Sequence, residues 1–146
     1  MNKKALIILS AIPIPSGFLL NTLIMNNNWV GLPLLIVGAA LYLLWFYLGK
    51  LSAARSITLK SALLCAHITG IICFTLIIVQ TALLQNVSRG LLGLVPQMFF
   101  LPTLALSSTL MTPLFFFVQT FRLEYFVIPA FLMMLGSFTL GYRSNK

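Results

Sequence analysis

The sequence predicts an all-α fold: a polytopic transmembrane helix bundle forming a single integral membrane domain over residues 1–146. Three observations carry this. Hydrophobic residues make up 60% of the chain and charged residues 7%, with a mean hydropathy of +1.07; a soluble domain carries about 25% charged residues. The apolar residues come in long runs, each near the ~20 residues with which a helix crosses a hydrocarbon core roughly 30 Å thick. The charges stand singly between those runs, nine Lys and Arg against one acid, for a net +8. Such a balance in a soluble protein would suggest nucleic acid. Here no helix face or dense patch is basic, so the positive charges read as topology signals, and no nucleic acid partner is expected.

The first span is expected over residues 5–25, after the basic start Lys3-Lys4. It is too long for a signal peptide, contains Pro13 and Pro15, and has no small-x-small cleavage site at its end, so it reads as a retained span. The two prolines remove backbone donors and kink it. Ser10, Gly17 and Asn21 project on one side, towards other helices. A polar turn, Asn26 to Asn28, and Trp29 precede the second span, residues 30–48. Its end, with Tyr42, Trp45, Phe46 and Tyr47 before Lys50, reads as an aromatic belt at the membrane surface. Gly31, Gly38 and Tyr42 share a face open to close approach.

The third span, residues 61–84, is expected to be the central helix. Ser61, Cys65, Thr69 and Cys73 recur at i, i+4 spacing, with Ala62, Ala66 and Gly70 in the next row and Gln80 on the same side. In lipid, small and polar residues gain contact by letting backbones approach. This face therefore reads as a helix-packing seam, with Leu63, Ile71, Phe74 and Ile78 opposite. Cys65 and Cys73 lie about 12 Å apart along one helix and cannot pair there.

Residues 91–121 are longer than one straight span and contain Pro96, Pro102 and Pro113. The preferred reading is an interfacial lead-in, residues 91–97, and a span over 98–121. One long kinked helix and a re-entrant hairpin are the alternatives. The last span covers residues 125–142. Five spans with a cytoplasmic N-terminus place Lys3, Lys4, Lys50, Arg55, Lys60 and Arg122 inside and Arg89, Arg143 and Lys146 outside, six against three. Four spans with a re-entrant segment and Arg122 outside move Arg143 and Lys146 inside and score seven against two. Hydrophobic length favours five. The basic start, compactness and short loops fit a bacterial plasma membrane. The sequon Asn86-Val87-Ser88 matters only in a eukaryotic secretory pathway.

Chemistry-bearing residues are few. Glu124, the sole side-chain carboxylate, sits beside Arg122 as a solvated pair, so two-carboxylate chemistry and carboxylate metal sites are not expected. His67, the sole histidine, is a candidate functional ionisable group because an intramembrane titratable residue is costly. It projects towards Leu63, Ile71 and Phe74, nearly opposite Cys65, so the two make neither a nucleophile–base pair nor a metal site. No G-x-S-x-G, H-E-x-x-H or P-loop occurs, and no catalytic residue, metal or cofactor is expected. Asn21, Ser108, Thr112 and Gln119 are candidates for a small polar cavity, and broken helices near such residues resemble transporter sites. The leading functional expectation is a non-catalytic accessory, subunit or immunity-type protein packed in the bilayer against another membrane protein or a second copy. A small transporter component for a neutral or apolar solute is the alternative.

Overall fold

A computed structural model describes residues 2–26, 31–83, 90–115 and 123–145. Its elements are helices α1 (Lys3–Leu9), α2 (Pro13–Asn26), α3 (Gly31–Ala54), α4 (Leu59–Ile78), α5 (Leu91–Phe115) and α6 (Glu124–Arg143), with a π-helical turn, Val79–Leu83, closing α4. No strand occurs among the described residues. Taking α1 and α2 as one segment, five helical segments are long and apolar enough to cross a membrane. The chain is a small polytopic membrane protein.

Proline chemistry sets the irregular places. Pro13 occupies the first position of α2, where its missing N–H is harmless. Pro13 and Pro15 leave the Leu9 and Ala11 carbonyls without their helical donors. Those carbonyls instead accept from Ile12 N and Ile14 N, and the first segment breaks into two helices at Ser10–Ile12. In α5, Pro96 and Pro102 stay within one continuous helix. Residues 91–97 thus belong to that helix rather than to a separate lead-in, which corrects the preferred boundary. Between α3 and α4, Ser56 takes a left-handed φ of 54°. Ile57 N then reaches the Ser52 carbonyl at 3.3 Å, a Schellman-type closure normally given to glycine.

The core forms where α3, α4, α5 and α6 converge on Trp45, Ala66, Phe99, Phe100, Val127, Ala130, Met134 and Phe138. The fourth apolar segment, α5, occupies the middle: 44% of its spanning window is buried, against 33% for the third. It therefore displaces the third span from the central place expected for it. The aromatic belt is also corrected. Trp45 is fully buried and Tyr42 nearly so, while Phe46 and Tyr47 face outward. Gly38 packs against the Pro102 carbonyl, but a Cβ on Gly31 would meet nothing within 4 Å.

The segments do not alternate in direction. Tyr42 Oη donates to Ala130 O at 3.4 Å, Gly49 lies against the Phe138 carbonyl, and Asn145 Nδ2 donates to Lys50 O at 3.4 Å. Both sequences rise together, so α3 and α6 run parallel. Tyr142 Oη adds a 2.7 Å bond to Ile57 O, fastening the end of α6 to the α3–α4 connection. The first and third segments are parallel as well: Ser10 pairs with Thr69 at 2.6 Å, and further along Asn21 and Ile77 line one cavity. Lys3, Lys4, Lys50, Arg55, Lys60 and Arg143 consequently lie at one end of the bundle, and Glu124 at the other. This corrects the five-span expectation that Arg143 lies opposite Lys50. The C-terminal end shares a side with the basic loop, as in the four-span alternative. Arg89, Arg122 and Lys146 lie outside the described residues.

Candidate functional site

The α4 face that the sequence picks out contributes Ala62, Ala66, Gly70, Cys73 and, in the π-helical turn, Gln80 as buried residues, while Ser61, Cys65 and Thr69 are half-buried. A Cβ on Gly70 would stand 3.1 Å from the rings of both Phe131 and Phe99, so α5 and α6 pack there because the position lacks a side chain. Gln80 has a specific task. Pro96 cannot donate to the Leu92 carbonyl, and Gln80 Nε2 supplies the missing bond at 2.9 Å. That pairing of a proline with a glutamine sixteen residues earlier carries no sequence signal.

His67 is 1% exposed. Its ring sits edge-on to Trp45, Phe131 and Phe138, with centroids 6.0, 6.2 and 5.3 Å away. Nδ1 lies 3.0 Å from Leu63 O. A carbonyl only accepts, so in the neutral ring Nδ1 carries the proton and Nε2 is left as an acceptor. The Met134 main chain approaches the ring, but outside hydrogen-bonding geometry at Nε2, which has no partner; neither has the indole N–H of Trp45. One donor and one acceptor are thus left unpaired, on rings whose centroids lie 6.0 Å apart, each at a cost of about 1–3 kcal/mol. Trp45 is a residue that sequence reasoning assigned to the membrane surface.

The hydroxyls offered for a polar cavity are turned inward on their own helices. Ser108 Oγ donates to Ala105 O at 2.8 Å, and Thr112 Oγ1 to Ser108 O at 3.0 Å. Gln119 lies outside the described residues. Asn21 does line a cavity, of about 190 Å³, but its polar companion is Gln97 on α5. Ile77, Met98, Phe100, Leu101, Leu104, Leu123 and Val127 complete the wall, so α2, α4, α5 and the start of α6 all contribute. A second, shallower groove of about 420 Å³ opens outward between α3, α5 and α6, lined by Ala39, Tyr42, Leu43, Phe46, Leu106, Ser137 and Leu140. Sequence reasoning missed Gln97 and Ser137. Gln97 sits in the stretch read as an interfacial lead-in, where a polar residue needs no explanation.

No protein-family model, curated protein or solved structure matches this chain. Among the described residues, no three His, Cys, Asp or Glu side chains come together.

Proposed function

We propose that this protein is a non-catalytic membrane component that packs against another membrane protein. The observation that carries the reading is the closure of its interior. A Cβ on Gly17 would fall 2.6 Å from the Met98 carbonyl carbon, and one on Gly141 2.7 Å from that of Phe46. Helices in backbone contact leave little room for a solute route, whereas small residues and dispersion contacts are how membrane helices associate. The partner's surface in this reading is the groove between α3, α5 and α6, whose largely apolar walls, with the Ser137 hydroxyl and a Tyr42 hydroxyl already bonded to Ala130 O, suit a partner helix. The end bearing Lys3, Lys4, Lys50, Arg55, Lys60 and Arg143 faces the cytoplasm by the positive-inside rule, in a bacterial plasma membrane.

The test is gentle detergent extraction of the tagged protein, with photo-crosslinkers at Ala39 and Ser137. A stoichiometric membrane partner joined through both positions supports the reading. A clean monomer joined only to lipid refutes it. The Asn21–Gln97 cavity, bridging four helices, favours a second reading as a transporter component for a small neutral solute. Solute flux through the purified protein in vesicles would move the conclusion there.

A further inference from the structure

We infer that the Asn21–Gln97 cavity is a binding site for the polar end of a neutral amphiphile, one presenting a hydroxyl or carbonyl on a short apolar body. Among the described residues neither carboxamide has a hydrogen-bond partner, although both side chains are half-buried and line the same cavity. Each offers two donors and an acceptor, and leaving them unmatched in an apolar setting is unfavourable. The buried hydroxyl and amide side chains, Ser10, Ser52, Gln80, Thr103 and Ser107, each have a partner. These two amides come from different helices and line one cavity whose other side chains are apolar.

Size and depth restrict the occupant. The volume, about 190 Å³, slightly exceeds the ~150 Å³ that suffices for benzene, so it takes a short apolar body with one polar group. Asn21 lies five residues before the end of α2 and Gln97 six residues after the start of α5, roughly 8 to 9 Å inside the helix ends. With the helix ends at the membrane surface, that lies beneath a headgroup layer about 5–7 Å deep, at the level of lipid glycerol and ester groups. No basic or acidic side chain lines the cavity, so the ligand's polar end is neutral. The same chemistry comes from a free solute such as a short-chain amide or from a neutral glycerolipid.

The test uses the full chain in detergent micelles with its side-chain carboxamides labelled with nitrogen-15, titrated with hexanamide, with dioctanoylglycerol and with hexane. Saturable shifts of the Asn21 and Gln97 NH2 signals with hexanamide assign the site to free solutes. Saturation by dioctanoylglycerol alone assigns it to lipid. Gln97→Met should weaken binding about tenfold, with the Asn21 signal still dispersed to show an intact fold; Asn21→Leu gives the reciprocal check. The inference is overturned if neither polar probe saturates, if hexane shifts the amides equally, or if both variants bind as the wild type does. Binding is read without flux or partner, so its failure is distinct from failure of either functional reading.

Discussion

Two glycines on one helix, five residues apart, should respond to the same substitution in opposite directions. A methyl group at Gly141 would lie 2.7 Å from the Phe46 carbonyl carbon and 3.0 Å from its Cα, closer still to its oxygen. Comfortable carbon–carbon contact is about 3.5–4.0 Å, so α3 and α6 must separate by roughly 1 Å. The obstacle is backbone and cannot rotate away. A gap of that size forfeits a quarter to a half of each contact across the seam, and this seam includes Tyr42, Trp45, Ala130 and Phe138. Overpacking costs typically about 1–3 kcal/mol; with backbone as the neighbour we expect about 3 kcal/mol for Gly141→Ala. At Gly136 a Cβ meets nothing within 4 Å. There alanine gains its helix propensity, worth up to about 1 kcal/mol over glycine, and Gly136→Ala should be neutral or stabilising. The assay is reversible unfolding in mixed micelles, followed by circular dichroism. If the two variants fall within about 1 kcal/mol of each other, the close crossing of α3 and α6 is wrong.

Three further expectations address other parts of the bundle. Single cysteines at Ser56 and Ser144, with Cys65 and Cys73 replaced by alanine, should react with an impermeant maleimide from the same face of the membrane; labelling from opposite faces would break the parallel pairing of α3 and α6. His67→Phe removes a stranded acceptor while filling the space between Trp45 and Phe138, so its unfolding free energy should stay within about 1 kcal/mol of wild type, whereas His67→Ala should lose about 2–4 kcal/mol to the void. Equal damage by both would mean that the imidazole itself holds the core together. Gly70→Leu, forced against Phe99 and Phe131, should reduce the folded yield more than Phe74→Ala, which loses a half-buried ring stacked 5.1 Å from Phe131; the reverse order, measured by size-exclusion recovery, would show that the packing face of α4 is misassigned.

The residues themselves show where sequence reasoning reached. The α4 face was readable because Ala62, Ala66 and Gly70 repeat with the helical period, and a period is a local property. Trp45 was misplaced because its type and nearness to Lys50 fit an interface position equally well; only the arrival of α4 and α6 buries it. The Asn21–Gln97 cavity joins residues 76 positions apart and was invisible for the same reason, while Ser108 and Thr112, spaced as a polar face, satisfy themselves on the preceding turn.

By itself the sequence determined that the chain lives in a bilayer, that it is helical, and roughly where each apolar segment begins, because hydrocarbon requires every backbone group to be paired within its own segment. Only the tertiary structure decided how those segments are directed and what they enclose. Helix direction, the side on which Arg143 lies, and the cavity shared by Asn21 and Gln97 follow from which backbones can touch. In this bundle those contacts are made at Gly17, Gly49 and Gly141, where the absence of a side chain says that something approaches but not what.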